Sequence, residues 1–560
     1  MRAMKWWGWG EESISFTHED KPELRLFLRR HLDIDVDRDS SRPVAFDELR
    51  IPDSGVPSSL WLALERAVGG EWVSTDALDR VVHARGKSLR DLVCQRRGEL
   101  PRLPDVVVRP GDEQQLAAAV QAAIDAEAVV IPFGGGTNIS GSLEAPGRET
   151  RPVISVDLER LDRVLEIDEV SGLARVQAGV SGPELERQLN ARGWTVGHFP
   201  DSFTHSTLGG WIATRSSGMQ SDKYGDIADL TRGLRVVTPA GLLCVRPVPS
   251  TSTGPSVREM VLGSEGRLGV ISEATVQVHR VPRSRVILGY LFPTWGEALA
   301  AMRDLAASEV SPALTRVSDA PETAFSFSTG KTPTPVDRLK SAALTRYLHR
   351  RAFELDAMCL GFVGYEGSER HVGAQRRAVG RLFGDHGAIC IGRGPGVLYD
   401  QKKFDTPYIR DFLLDRATLA DVSETAAPWS RLPILYERVM TAARAAFARL
   451  SVAGYIMCHL SHSYRAGACL YFTFAFKPTA AREPLDQYDV VKSAIQQQFV
   501  DCGGTLSHHH AVGTEHARWL EQDISTPGVV LLQALFDGFD PGANFNPGKI
   551  IGTPLTQTGQ

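Results

Sequence analysis

No apolar run in this 560-residue chain is long enough to cross a bilayer as a helix. Cysteine is scarce and unpatterned: Cys94, Cys244, Cys359, Cys390, Cys458, Cys469 and Cys502 make an odd count of seven, with no CxxC spacing. That argues against a disulfide framework or a thiolate zinc site and for reduced thiols in a cytoplasm. Excess charge is missing too. A formal net charge of −5, from 62 Lys and Arg against 67 Asp and Glu, leaves no electrostatic footprint for nucleic acid or for bulk attraction to an anionic membrane. The polar stretch behind the first tryptophans lacks the apolar segment of a signal peptide, and residues 555–560 carry no address signal. What is present is an ordinary soluble composition, 42% hydrophobic and 23% charged, over a length that implies two or more domains.

Lys5-Trp6-Trp7-Gly8-Trp9-Gly10 is a dense aromatic opening, the kind of cluster that anchors a core or interface more often than it binds a ligand. Up to about Pro101, helical patterns at 23–31 and 60–68 alternate with proline breaks, which predicts a helical N-terminal segment over 1–100. Then the pattern changes. Val106-Val107-Val108 reads as a strand, and Asp112 with Gln115 forms a capping box for the Ala-rich helix 116–126. A short β-branched strand, 129–133, runs into Gly134-Gly135-Gly136-Thr137-Asn138. Consecutive glycines let the backbone come close to a ligand, their N–H groups form an anion-binding nest, and Thr137 and Asn138 add donors. That stretch alone suits a pyrophosphate cradle and a plain Gly-rich turn equally well. Strands at 152–157, 164–168 and 173–180 follow, then a helix at 182–192 stopped by Gly193.

The loops do not take the GxGxxG form, and no acidic ribose partner is evident, so nicotinamide binding is not expected. Two further Gly/Ser/Thr-rich stretches, 197–219 and 263–271, lead into a strand at 274–278. Three such loops within one α+β domain predict a nucleotide-cofactor domain.

These loops join other segments in a resemblance. Lys5-Trp6 with Gly8-Trp9-Gly10, residues 198–219 and 263–271, Ala468-Cys469-Leu470-Tyr471-Phe472 and Leu506-Ser507-His508-His509-His510-Ala511-Val512-Gly513 resemble the alkylglycerone-phosphate synthase (alkyldihydroxyacetone-phosphate synthase) family. That family lies within the vanillyl-alcohol oxidase/p-cresol methylhydroxylase superfamily of FAD proteins. The likeness runs from about residue 4 to about residue 550, and the histidine triplet is its most specific part. It implies an α+β fold with a two-subdomain FAD-binding domain over 101–281 and an α/β cap over 282–515. A segment over 516–560 would return to the flavin through 539–549. FAD contacts are implied at Pro132, Phe133, Gly134, Gly135, Gly136, Thr137 and Asn138; at Asp201, Ser202, Phe203, Thr204, His205, Ser206 and Thr207; at Thr214, Arg215, Ser216 and Ser217; and at Glu265, Gly266, Arg267, Leu268, Gly269, Val270 and Ile271. Relatives that tether flavin through the first loop have His where Asn138 stands, so FAD is expected to be non-covalent.

The same resemblance places substrate-site arginines at Arg316 and Arg410, both in strand-like or loop surroundings, with Arg410 gripping the charged end of the substrate. Tyr471, on an alternating strand with Cys469, Thr473 and Ala475, would transfer the proton. An unperturbed tyrosine titrates near ~10, so it would need Arg316, Arg410 or the histidines to act as a base near neutral pH. His508, His509 and His510 could ligate zinc or iron, but neighbours in sequence point apart and no carboxylate or Cys stands at ligand spacing. The expectation is no metal, with His509 and His510 assisting at the flavin as donors or proton carriers.

The reaction implied is exchange of the acyl chain of acyl-dihydroxyacetone phosphate for a long-chain fatty alcohol through a flavin N5 adduct, without net redox. The rival is an FAD-linked oxidoreductase of a D-2-hydroxy acid or related alcohol, whose relatives carry Glu-His-Gly at the triplet. A flavin-binding module without turnover would leave Tyr471 and the triplet idle. Residues 336–355, where Arg338, Lys340, Arg346, Arg350 and Arg351 alternate with Leu339, Leu344, Leu348 and Phe353, form a basic amphipathic stretch. It suits a solvated helix face or a peripheral membrane contact where lipids enter. A homodimer is the assembly considered. Trp7 and Ala511 depart from the family pattern, which is polar at the first position and Gly at the second.

Overall fold

The computed structural model describes residues 4–331 and 335–552, apart from the side chains of 335–341 and 402. Its first sheet is built from short β-branched runs buried on both faces, the signature of parallel strands. β1 (Val73–Ser74), β2 (Val106–Val108), β3 (Val129–Phe133) and β4 (Val153–Asp157) lie in the order β1-β2-β4-β3, with β2, β4 and β3 parallel. The helix Glu113–Asp125 makes the crossover from β2 to β3. Its cap is half as predicted: Asp112 accepts the Gln115 N–H at 2.8 Å, but the Gln115 side chain takes the N–H of Gly111. β3 is an edge strand. Phe545 pairs with it at Val130 in parallel, so the C-terminal segment closes the edge beside the glycine loop.

The second sheet contains β5 (Val164–Asp168), β6 (Leu173–Gln177), β8 (Thr231–Thr238), β9 (Gly241–Val245) and β10 (Val270–Gln277), ordered β5-β6-β10-β8-β9 and antiparallel. A ribbon of β7 (Trp194–Thr195) and β11 (His279–Arg280) leads out of it. One apolar core, from Leu60 through Val130 and Trp211 to Val276, serves both sheets.

The third sheet is antiparallel in every described pairing. β12 (Ser284–Phe292), β13 (Leu314–Ser318), β14 (Cys359–Gly367), β15 (Ile389–Gly392), β16 (Leu419–Pro428), β17 (Gly454–Ser463) and β18 (Gly467–Phe476) follow the order β15-β12-β14-β13-β17-β18-β16. β18 shows why its two faces differ. Leu470, Phe472, Phe474 and Phe476 sink into the core made with the helices Leu432–Leu450 and Pro484–Asp501. Strand alternation turns Cys469, Tyr471, Thr473 and Ala475 to the other side, as the sequence pattern predicts.

The first hundred residues are shared out among these cores. Leu60, Leu64 and Val68 join the flavin-side core, Leu89, Leu92 and Val93 the cap core, and Leu24, Leu28 and Leu32 pack with Phe412 and Ala475. Arg316 lies on β13 as expected, whereas Arg410 sits on the helix Thr406–Leu414, which Pro407 starts. The basic stretch forms the helix Pro335–Arg350. Leu348 and Phe353 are buried, Leu344, Arg346, Tyr347, Arg350 and Arg351 are exposed, and the side chains of Arg338, Leu339 and Lys340 lie outside the described residues. No helix among the described residues is long and apolar enough to cross a membrane. All seven cysteines are free.

Candidate functional site

A cavity of about 1050 Å³ takes its walls from the loop after β3, the approach to β10, and β13, β16, β17 and β18. It has walls of three chemistries. One is glycine and hydroxyl: Gly134, Gly135, Gly136, Thr137, Ser206, Thr207, Ser216 and Ser217. One is apolar: Leu24, Phe27, Leu28, Phe325, Phe412 and Tyr455. The third carries Arg316, Arg410, His459, His462, Tyr471, His509 and His510. Along β18 the exposed-face residues run from Cys469, beside Glu424, through Tyr471 to Ala475, which packs with Leu24 and Leu28. Tyr471 and Ala475 are four residues apart, roughly 13 Å at strand rise. A molecule with a polar head at Tyr471 therefore has an apolar path beside its tail.

The first glycine loop is pressed against the second. A Cβ on Gly135 would overlap the carbonyl oxygen of His205, and Gly136 has φ +66°, a left-handed conformation that favours glycine. Of the residues expected at FAD, Pro132, Gly134, Gly135, Gly136, Thr137, Asn138, Asp201, Ser202, Ser206, Thr207, Thr214, Ser216, Ser217, Glu265, Gly266, Gly269 and Ile271 line the cavity. The others do not line it, and most of them pack behind that wall. Phe133 packs on His83, Phe203 stacks on Phe404, His205 lies edge-on to Trp9, and Leu268 and Val270 are core residues. Arg215 pairs with Glu259, Arg267 lies over the Phe536 ring and Thr204 is exposed.

Asn138 is not the free donor that the loop suggests. Its carbonyl oxygen accepts the N–H groups of Ser140 and Ser142, and its amide donates to Ser140 Oγ, so it shapes its own turn. Glu265 ties the third loop to the C-terminal half by accepting the N–H groups of Val512 and Gly513 and the Ser142 hydroxyl. Asn546 donates to the carbonyls of Ser142 and Glu265.

The two arginines differ in what they already hold. Arg316 donates to Glu322 at 2.8 Å and stands 3.1 Å from Nδ1 of His459, which is itself 2.8 Å from Glu322. Despite burial, His459 and Arg316 hold Glu322 down to about 2. Arg410 reaches the cavity with its buried Nε lacking a hydrogen-bond partner. Tyr471 stacks between His459, at 4.8 Å between ring centroids, and His509, at 6.0 Å. Burial, with Asp201, Glu424 and Asp421, raises its phenol well above the ordinary value, and Arg316 opposes this only in part. The sequence reading called for a lowered tyrosine; the structure presents a protonated one.

Sequence reasoning missed Glu424, on β16. This buried carboxylate accepts the N–H groups of His508, His509 and His510 at 2.7, 3.0 and 3.1 Å and the Ser507 hydroxyl at 2.7 Å. It is the anion on which the triplet is folded. A lone Glu in the apolar and small-residue run 419–428 is the only signal the sequence offers. Glu424, Cys469, His508 and His509 bring ligand atoms within 4.8 Å of one another. The carboxylate oxygens are already taken by protein donors, so the cluster satisfies itself and does not fit a metal.

Family models match both halves: a FAD binding domain over residues 104–245 and the C-terminal domain of FAD linked oxidases over 281–550. An alkyldihydroxyacetonephosphate synthase of Dictyostelium discoideum is 37% identical across 99% of this chain and 94% of its own. The chain belongs to the alkyldihydroxyacetonephosphate synthase family. A solved alkyldihydroxyacetonephosphate synthase superposes with a TM-score of 0.84 at 34% identity, covering 97% of this chain and 98% of that one. p-Cresol methylhydroxylase shares the fold, with a TM-score of 0.66 at 14% identity over 90% of this chain and 99% of its own. A mitochondrial D-lactate dehydrogenase of Arabidopsis thaliana is more distant, 22% identical over 80% of this chain and 74% of its own.

As a synthase-family member the chain uses FAD, and its own atoms fit that cofactor. Asn546 Oδ1, in the cavity wall, is buried without a protein partner, and the glycine loop leaves its backbone open to close approach.

The histidine triplet also contributes to the loss of stability in acid. Burial pushes His509 down to about 3 and His510 to about 4, against 6.5 when unfolded. The unfolded chain thus binds more protons between those values, and stability falls as pH drops below 6.5. Glu424 is held well below 4.5, because the facing imidazoles and N–H donors outweigh burial. Its contribution is present above 4.5 and is lost only as pH falls through its folded value. A Tm series from pH 8 to 4 is expected to decline from 6.5 downward, and His509→Gln/His510→Gln is expected to make that decline shallower without moving its onset, since His198, His462 and His516 are pushed down as well.

Proposed function

We propose that the protein exchanges the acyl chain of acyl-dihydroxyacetone phosphate for a long-chain fatty alcohol, releasing a fatty acid and forming the ether-linked product without net redox. The observation that carries this reading is the cavity itself. An arginine with a buried unpaired nitrogen, a protonated tyrosine and an apolar wall lie in one space beside the glycine loops. A small hydroxy acid would leave the apolar wall unused, which is what disfavours the oxidoreductase alternative.

FAD would be held by Gly134, Gly135, Gly136 and Thr137, by Ser206 and Thr207, and by Ser216, Ser217 and Asn546. When bound it supplies a reversible electrophile for the ketone-phosphate unit. Arg410 would bind the phosphate, since Arg316 is already neutralised by Glu322. Tyr471 would give its proton to the departing carboxylate oxygen and then, as phenolate, take one from the entering alcohol. His459 and His509 hold its ring in position.

In an assay with labelled hexadecanol and acyl-dihydroxyacetone phosphate, label should enter an ether lipid. Tyr471→Phe should lower turnover by about 100-fold or more with flavin content unchanged. Arg410→Ala should raise KM for the phosphorylated substrate by at least about tenfold. Bleaching of the flavin by D-2-hydroxy acids without ether formation would favour the oxidoreductase.

Asn138 offers no nucleophile for a flavin tether, so FAD is non-covalent in this reading. Acid precipitation should leave a colourless pellet and a yellow supernatant.

Contact with a membrane surface completes the proposal. Phe327 and Leu398 stand in the cavity wall yet are 50% and 57% exposed, while Arg346, Arg350 and Arg351 are exposed on the helix Pro335–Arg350 and just after it. Flotation with anionic liposomes should weaken when these three arginines become glutamine. Unchanged flotation would leave the helix as a solvated face.

A further inference from the structure

The strand registers lay out one wall of the cavity as a grid. β18 pairs with β17 on one side and β16 on the other, so the residues of one face stand in rows. The first row is His459 and Tyr471, with Glu424 opposite on β16. The second is Met457, Thr473 and Val422, and the third is Tyr455, Ala475 and Ala420. All of these except Glu424 line the cavity. Successive rows, two residues apart on each strand, are separated by about 7 Å. Along the grid, ionisable groups give way to a hydroxyl between apolar groups, and then to two alanines beside one aromatic ring.

Alanine is an unusual choice at the third row. Strand positions favour β-branched and aromatic side chains, and β18 places Phe472, Phe474 and Phe476 on its other face. Ala420 and Ala475 are paired across β16 and β18, which leaves this row shallower by the depth of a side chain. Leu24, Leu28 and Leu32 of the helix Pro22–Leu32 and Phe412 pack with the two alanines, and all of them line the cavity.

The row ends in a fixed aromatic wall. Tyr455 donates its hydroxyl to the carbonyl of Pro321 at 2.9 Å, which holds its ring in place. Phe27 stands edge-on to that ring, 5.0 Å between centroids. Phe325, on the helix Ala320–Ser328 that also carries Pro321, stands edge-on to Phe27 at 5.6 Å. Edge-to-face contacts of this kind stabilise such rings beyond their buried area. All three rings line the cavity. His31, 4.8 Å from the Tyr455 ring, does not line it and is half-buried behind them. The apolar arm that starts at Tyr471 therefore has a floor, a roof and an end.

We propose that the third row is the end stop of this arm: Ala475 and Ala420 make room for the last carbons of a fatty chain, and Tyr455, Phe27 and Phe325 halt it. Ala475 is then the residue that sets the length of chain accepted. The proposal rests on the exchange reading above for the nature of that chain. Each methylene that meets apolar wall tightens binding roughly fourfold, whereas one pressed against packed rings gains nothing and forces strain. Affinity thus rises with chain length up to the stop and no further.

The test reads binding and needs no turnover. Straight-chain alcohols from hexanol to octadecanol are used to displace a fluorescent fatty acid from the flavin-loaded protein, and Kd is followed against chain length. In the wild type Kd is expected to fall roughly fourfold per methylene and to level off at one length. Ala475→Leu should shorten that length by about two or three methylenes, with flavin content and Kd for the shorter alcohols unchanged. Phe27→Ala should lengthen it by a similar amount. A break at the wild-type length in flavin-loaded Ala475→Leu or in Phe27→Ala overturns the proposal. So does a wild-type Kd that keeps falling through octadecanol, which would show the chain passing the wall. If Ala475→Leu fails to hold flavin, Phe27→Ala decides. If labelled hexadecanol enters no ether lipid, the exchange reading falls while the break in Kd still decides the stop.

Discussion

The active-site wall depends on one buried anion. Glu424 takes three consecutive backbone N–H groups and a hydroxyl, so the loop carrying the histidines can run in only one way. Taking a carboxylate out of water costs several kcal/mol, and charge-assisted hydrogen bonds contribute about 1.5–3 kcal/mol each, so a carboxylate with four of them is offset where one with fewer would not be. The same bonds hold the backbone of three adjacent histidines in one turn. Backbone curled about Glu424 turns His508 toward Tyr464 and Asp226, and sends His509 and His510 to the cavity. Removing the charge would release the loop as a whole, not one residue of it.

The histidine loop is useful only because β18 puts a second face beside it. The strand's phenylalanines are needed to bury the helices Leu432–Leu450 and Pro484–Asp501, and strand alternation then forces Tyr471 outward whatever its chemistry. Fold and site are therefore coupled at one strand. A register slip of one residue on β18 would bury Tyr471 among phenylalanines and expose Phe472 to the cavity.

Legibility in the sequence followed the range of the interaction. The glycine loop, the strands around it, the Ala-rich helix and the alternation on β18 are local patterns, and each stands where its residues predict. The loop contacts were legible only in part: Phe133 and Val270, on strands, face the core because every second residue of an extended segment must, and Phe203, in a turn, packs into the core on Phe404. Glu424 and the Glu322–His459–Arg316 set were not legible, since their partners are 84 and 137 residues away and carry no shared pattern. Arg410 reads as strand-like or loop in the sequence, and the structure puts it on a helix with Pro407 in its first turn. At the first turn of a helix proline is a start signal.

The tryptophan motif shows how a structural element can carry functional information. Trp6 sinks into a small core with Val81 and Leu103, while Trp9 packs with Tyr408 and reaches the cavity wall. Trp9 N–H binds Asp411 at 2.8 Å and the Lys5 ammonium stands 3.7 Å from the same carboxylate. Gly8 and Gly10 are required by closeness: a Cβ on the first would press on Asp411, and on the second would overlap the Tyr408 hydroxyl at φ +70°. Tyr408 and Asp411 flank Arg410 on one helix turn. The motif thus holds one oxygen of the carboxylate next to Arg410 through Trp9 N–H and Lys5, and Arg410 Nε is buried and unpaired in the cavity wall. An aromatic and glycine cluster at one end of the chain and the helix carrying Arg410, about 400 residues later, are joined by this contact.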